Sequence, residues 1–374
     1  MLRRLFTLSA LFVAVLLIAP LSAAFAAYSS TTQVERTSTT AKEAIELSGL
    51  VASPTYANWY WAHSDVWKTT DVFAACTQLS AGLLSECQQV QRARLWAFKL
   101  DPNTHAVLAS RSFAISDPQW ALDPNVAQNN DWEDITLSPT PTASGATALL
   151  IGAVGDAKNN PVRDASGQNI TCNTRRLIEL PEPDLTDPVA TTWTPTAIYD
   201  LKNYVGLGGL STCDAESLVA TRDPNGDPKA YVISRAGGRV LSRSLDPSTG
   251  RSPLLPRASA GSGLPYEPSI NFVGTVMNSQ KSLFTAADTN GSDIAMVSPA
   301  NSTKPCQVFH WTTSQASLGT TITSTAPAKY SITCRATEGL AFARNSTDPT
   351  SFTRNLYAIS DNKTRLRYWF IPWQ

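Results

Sequence analysis

Short apolar runs that alternate with polar residues recur along this chain, and several end the same way. Trp61-Ala62-His63-Ser64-Asp65, Ile151-Gly152-Ala153-Val154-Gly155-Asp156, Phe284-Thr285-Ala286-Ala287-Asp288 and Tyr357-Ala358-Ile359-Ser360-Asp361 each close an apolar stretch on an aspartate. A second motif precedes three of them: Leu47-Ser48-Gly49-Leu50, Trp132-Glu133-Asp134-Ile135 and Thr337-Glu338-Gly339-Leu340. A further copy, Ala215-Glu216-Ser217-Leu218, precedes Tyr231-Val232-Ile233-Ser234-Arg235. Alternation with period two reads as strand, because successive strand side chains point to opposite faces. A third mark follows: apolar, basic-studded runs closed by proline at 95–102, 176–181, 240–247, 294–299 and 366–372. Proline cannot donate a ladder hydrogen bond, so it ends a strand and opens a turn.

Each unit therefore predicts an inner strand, a second strand and an outer strand, with a fourth after the proline turn, as at 106–115. Inner strands start at Leu47, Glu133, Glu216, near Thr275 and at Glu338, with Phe272-Val273-Gly274-Thr275-Val276 the copy that lacks the acid. These intervals of roughly 60 to 85 residues exceed the ~40–50 of a propeller blade, so the units carry insertions. Stretches 68–91, 117–130 and 190–212 are the expected insertions. The fold expected is all-β: a β-propeller of four-stranded blades, five counted and six possible. A sandwich would alternate without a long repeat that keeps polar residues at fixed strand ends. The segment Thr32-Gln33-Val34-Glu35-Arg36 alternates and is expected to pair with the last blade near 355–370, hiding the ring's open edge.

Composition supports strands. Charged residues are 16% of the 374, below the ~25% norm, and there are 24 prolines. Residues 1–26 read as a signal peptide: Arg3 and Arg4, an apolar run to Ile18, then Ala24-Phe25-Ala26 as a cleavage site. An uncleaved anchor is the alternative. Residues 27–374 are expected to form a single propeller domain, secreted or extracytoplasmic and monomeric. Thirty basic and 30 acidic residues cancel, which argues against nucleic acid and membrane surfaces as partners. Six cysteines in an exported chain read as disulfides. Of the 15 possible pairings, the local one is preferred: Cys76–Cys87, Cys172–Cys213 and Cys306–Cys334.

The short strings 46–50, 131–135, 213–218 and 338–342, with Trp61 to Asp65 after the first, resemble a group of secreted propellers that includes the phytase-like and esterase-like ones. The resemblance implies a propeller. By analogy with lactonase and paraoxonase propellers it implies an acid-lined tunnel that holds calcium.

In an antiparallel pair the start of one strand lies beside the end of the next. Glu133, Glu216 and Glu338 are thus expected at one mouth of the channel with His63, Asp65, Asp156, Asp288 and Asp361, and with Arg235 as the matching cation. Crowded carboxylates repel one another or bind a hard cation, and calcium accepts many oxygens with loose geometry. Glu133, Glu216 and Glu338 are the candidate metal ligands; Glu133, Glu216, Glu338, Asp156, Asp361 and Arg235 are the candidate ligand-binding set. His63 with Asp65 is the candidate general base and its orienting acid. The competing reading is that these acids accept backbone N–H groups and brace blade corners. The function expected is binding of a small molecule or cation at an acidic mouth, with no reaction assigned. The alternatives are a calcium-dependent hydrolase of phosphoesters, lactones or esters, and a scaffold for an extracellular protein.

Overall fold

The alternating runs fold as strands, and the strands assemble into five sheets set around one axis. A computed structural model describes Tyr28 and residues 33–38, 47–64, 94–115, 132–140, 145, 147–154, 176–201, 215–235, 237–246, 270–277, 282–299, 306–312, 318–334, 336–345, 348, 350–360 and 366–373. The targeting segment 1–26, the expected insertions 68–91 and 117–130, and Cys76, Cys87, Cys172 and Cys213 lie outside them.

Strand β1 (Val34–Thr37) comes first and pairs last, as described below. The first blade is β2 (Leu47–Ala52), β3 (Trp59–Ser64), β4 (Arg94–Leu100) and β5 (Val107–Ile115). The second is β6 (Trp132–Ser138), β7 (Ala148–Ala153) and β8 (Arg176–Pro181), completed by β10 (Ala197–Asp200) after β9 (Thr192–Trp193), which crosses back to lie parallel to β5. Stretch 190–212 is thus not wholly an insertion: Ala197–Asp200 supplies the fourth strand of its blade. The third blade is β11 (Ala215–Arg222), β12 (Pro228–Ser234), β13 (Arg239–Ser244) and β14 (Ile270–Thr275). The fourth is β15 (Ala286–Thr289), β16 (Asp293–Ser298), β17 (Cys306–Thr312) and β18 (Ala328–Ile332), with α1 (Leu318–Ser324) between the last two. The fifth is β19 (Thr337–Arg344), β20 (Phe352–Ser360) and β21 (Arg367–Ile371), and β1 adds its outer strand.

The fourth blade corrects the sequence phase. The run around Thr275 is the outermost strand of the third blade, and the inner strand of the fourth is β15, which carries Asp288. Likewise 294–299 contributes a second strand, not a third. The apolar alternation of 272–276 is the same whichever rank a strand holds in its sheet, so pattern could not rank it.

Five apolar cores lie between successive blades and close the ring. Trp61, Phe113 and Ile151 pack between the first and second; Leu150, Leu218 and Val232 between the second and third; Ile233, Phe284 and Phe309 between the third and fourth. Val297, Phe342 and Trp369 fill the fourth seam, and Tyr60, Phe98 and Tyr357 the fifth, where the last blade meets the first. Closure uses both chain ends, as expected. Strand β1 pairs antiparallel with β21 from Val34↔Phe370 to Thr37↔Arg367. Tyr28 bridges to Trp373 and donates a hydrogen bond to the Arg354 carbonyl at 2.8 Å.

Cys306 and Cys334 form the expected local disulfide, with Cα atoms 5.8 Å apart. A structural disulfide fits an oxidising, extracytoplasmic setting. No helix among the described residues is long and apolar enough to cross a membrane.

Candidate functional site

All five inner strands start on one side of the ring, here called the entry face, and end on the other, the exit face. Strand alternation puts Ser64, Arg94, Ile115, Ala153, Arg176 and Asp200 on the entry face as well, at the strand ends that share the side of the repeated acids.

Each repeated glutamate is the extra residue of a β-bulge. The β6–β7 register jumps between Trp132 and Asp134, β11–β12 between Ala215 and Ser217, and β19–β20 between Thr337 and Gly339. In the first blade the jump falls between Ser48 and Val51, around Gly49. A bulge leaves its extra residue unpaired and re-aims the neighbouring side chains. The freed carbonyls are used between blades: the Ser48 hydroxyl donates to Glu133 O at 2.6 Å and lies 3.4 Å from Glu338 O. Thr285 Oγ1 donates to Thr337 O at 2.5 Å.

The residue after the second glutamate, Asp134, sits at the heart of the ring, fully buried. It accepts N–H bonds from Ile135 at 2.9 Å, Leu218 at 2.8 Å and Ala287 at 3.1 Å, tying the second blade to the third and fourth. Burial holds its carboxyl well above the usual range, although these donors pull the other way. Asp288 repeats the device two blades on, accepting the Phe342 N–H of the fifth blade at 2.7 Å. Burial pushes it up to about 7, against the amides of Phe342 and Thr289 and the charge of Arg344. Asp288 therefore braces inner strands at the axis; its place at the end of a second strand is corrected with the blade phase. Backbone closes the axis as well. Gly49 has φ +65°, and a Cβ there would stand 2.6 Å from Ile135 N.

Glu133 and Glu216 are buried and Glu338 is half-buried. Glu216 forms an ion pair with Arg235. Among the described residues no three His, Cys, Asp or Glu side chains gather as a metal ion would require, so Glu133, Glu216 and Glu338 do not by themselves make a calcium site. Asp65, Asp156 and Asp361 lie outside the described residues.

His63 pairs with Ser48 across the first blade and is fully buried, its ring edge-on to Trp132 at 5.6 Å. Burial lowers it to about 3, with backbone groups of Asp134 and Ser64 opposing only in part. At neutral pH it is an uncharged packing residue with little basicity. His310 is also buried and stands 3.1 Å from Asp293 Oδ1, while His105 Nδ1 lies 2.7 Å from the Tyr357 hydroxyl.

Three further polar atoms at the entry ends of the inner strands are buried without a hydrogen-bond partner among the described residues: Trp132 Nε1, Ser217 Oγ and Thr337 Oγ1. They belong to the three blades that carry the bulged glutamates. Sequence reading passed over Asp134, Ser217 and Thr337. The signal available was their place next to the repeated acid.

No family model matches this chain, and no curated protein does. Among solved structures it is similar to an exo-β-1,3-galactanase from Clostridium thermocellum, at 8% identity and TM-score 0.43 over 86% of this chain and 58% of that one. It is also similar to the PQQ-bound form of an aldose sugar dehydrogenase from Streptomyces coelicolor, at 10% identity and TM-score 0.37 over 92% of this chain and 100% of that one. A third is Saccharomyces cerevisiae Sqt1, at 10% identity and TM-score 0.32 over 84% of this chain and 56% of that one. The chain thus spans less than two thirds of the length of the galactanase and of Sqt1.

Proposed function

We propose that this protein is an exported binding propeller whose entry face takes up a polar small molecule or a cation, with no reaction assigned. The observation that carries the reading is a coincidence. Three blades place a bulged glutamate and a buried donor without a partner among the described residues, Trp132 Nε1, Ser217 Oγ or Thr337 Oγ1, at the same strand ends. A buried polar group without a partner costs roughly 1–3 kcal/mol, so three together favour a ligand that completes them. Carboxylates beside such donors suit a ligand with hydroxyl or cationic groups. Calcium remains one arm of the test; with the described carboxylates alone it lacks a ligand set. His63 receives no catalytic role, because it is buried and held neutral.

The test is a thermal-shift titration of the purified chain, with calcium chloride against a chelator first and neutral and amine-bearing small molecules next. A ligand that binds only the folded state raises Tm by mass action. The wild type should respond to at least one probe. Glu133→Gln with Glu338→Gln, and separately Ser217→Ala with Thr337→Val, should lose that response while keeping the β-sheet circular dichroism. A wild type indifferent to every probe, together with glutamate variants that melt lower, would assign the acids to blade corners and overturn the proposal.

A further inference from the structure

On the exit face, a cleft of about 190 Å³ opens along the seam where the last blade meets the first. Arg344, the last residue of β19, lines it and is only 7% exposed. Its guanidinium lies 3.6 Å from the Phe352 ring centroid. Among the described residues its side chain makes no ion pair and no hydrogen bond, and Nε is buried without a partner. Asp288, Glu182 and Asp348 stand close enough to act on its charge. Each is engaged elsewhere: Asp288 with the Phe342 amide, Glu182 with Ser53 and Trp61, Asp348 with Thr350. The Phe352 ring covers a face of the guanidinium and leaves its in-plane donors, the edge that grips a planar oxyanion in bidentate fashion. A buried charge without a partner is costly, and a bound anion removes that cost.

The walls define the rest of the ligand. Tyr60, Tyr357 and Phe370 line the cleft, with Tyr60 and Tyr357 edge to face at 4.9 Å. His105 braces this wall, bonded to the Tyr357 hydroxyl at 2.7 Å and stacked on Phe370 at 3.6 Å. Asn58 and Asn355 add amides, and Asn355 is oriented by accepting the Trp373 N–H at 2.9 Å. Flat aromatic walls receive the C–H face of a ring, and amides receive hydroxyls. The volume falls below the roughly 300–1,000 Å³ of sites for larger ligands, so it admits about one small ring.

We propose that this cleft is a binding site for an anionic sugar, with Arg344 holding the carboxylate or phosphate and the Tyr60, Tyr357 and Phe370 wall holding the ring. The site lies on the face opposite the bulged glutamates and stands or falls apart from them.

Titration calorimetry and saturation-transfer NMR with sodium glucuronate, glucose 6-phosphate and glucose test it on the full chain. At least one anionic sugar should bind, and glucose at least about tenfold more weakly; which anion binds distinguishes a sugar acid from a sugar phosphate. Arg344→Gln should lose at least about tenfold in affinity, the size expected when one partner of a buried charge pair is removed. Asn58 has φ 62°, so Asn58→Gly keeps the backbone, folds independently of the arginine's fate, and should weaken binding several-fold. Equal binding of glucose, no binding of either anion, or unchanged affinity in a folded Arg344→Gln or in Asn58→Gly would overturn the proposal.

Discussion

At the scale of residues, the axis holds two buried carboxylic acids and a buried imidazole whose proton affinities oppose one another. Asp288 is pushed up to about 7 from an ordinary 3.8, so below 7 the folded chain keeps a proton that the unfolded chain releases. Its contribution to stability is fully present below 3.8 and is lost as pH rises through about 7. Asp134 shifts in the same direction. His63, lowered to about 3 from 6.5, works the other way: the unfolded chain takes a proton that the folded chain refuses. Its contribution is present above 6.5 and lost as pH falls toward 3. Each group contributes a slope of about 1.4 kcal/mol per pH unit while only one state is protonated. Relative to the wild type, Asp288→Asn should lose stability on acidification from about pH 6.5 to 4.5, and His63→Gln should gain it. Urea midpoints across that window check both. Two variants that track the wild type in parallel would show that burial does not shift these groups.

At the scale of elements, the bulge accounts for the repeated acid better than the strand end does. The extra residues of β6 and β19 turn their carbonyls to Ser48 of the first blade, and the residue after the bulge in β6, Asp134, reaches the third and fourth blades. The fourth blade has no bulge in β15, and there the side chain of Asp288 supplies the brace to the fifth. That blade has a covalent tie instead. Cys306 opens β17 and Cys334 follows β18, at a sequence separation of 28. Closing a loop of that length removes about 3–4 kcal/mol of chain entropy from the unfolded state. Replacing both cysteines with alanine should lower the unfolding free energy by about that amount in denaturant titrations. A loss under about 1 kcal/mol would mean that the strand pairing of Cys306↔Ile332 already holds the loop.

At the scale of the whole molecule, stability rests on five seams, and four of them join blades that are consecutive in the chain. The fifth must bring β19–β21 against β2–β5, and β1 fastens it by completing the last blade. Without β1 the edge of β21 is open, and an open edge invites pairing with another chain. Removing residues 27–38 should cost at least about 3 kcal/mol, because the Tyr28 contacts and the whole β1 ladder go together. It should also produce concentration-dependent association. Calorimetry and sedimentation on the truncated chain measure both; a monomer with an unchanged melting temperature would mean that the seam core alone closes the ring. The same seam forms the Arg344 cleft, so truncation should weaken anion binding there and leave the entry face intact.

Legible in the sequence by itself were the strand content, the repeat, the count of five blades, four of the five inner strands, the closing role of β1 and the Cys306–Cys334 bridge. All of these follow from local alternation, from short spacings, or from the need to hide an edge. Sequence alone also set Arg235 among the acids of the entry mouth; its ion pair with Glu216 came from the fold, which brings the bulge of β11 beside the end of β12. Rank within a sheet was not legible: the run at 272–276 reads as a strand in any position, and only its pairing with β13 makes it the outermost. The axis acid was not legible either. Glu133 and Asp134 are adjacent, a one-residue shift of register reverses which one faces inward, and the bulge that sets the register is decided by the blade beside it. Arg344 and Tyr60 lie far apart along the chain and meet only because the ring closes. Tertiary structure alone decided what surrounds each polar group, since burial and partners come from other blades, and those surroundings set its charge and its chemistry.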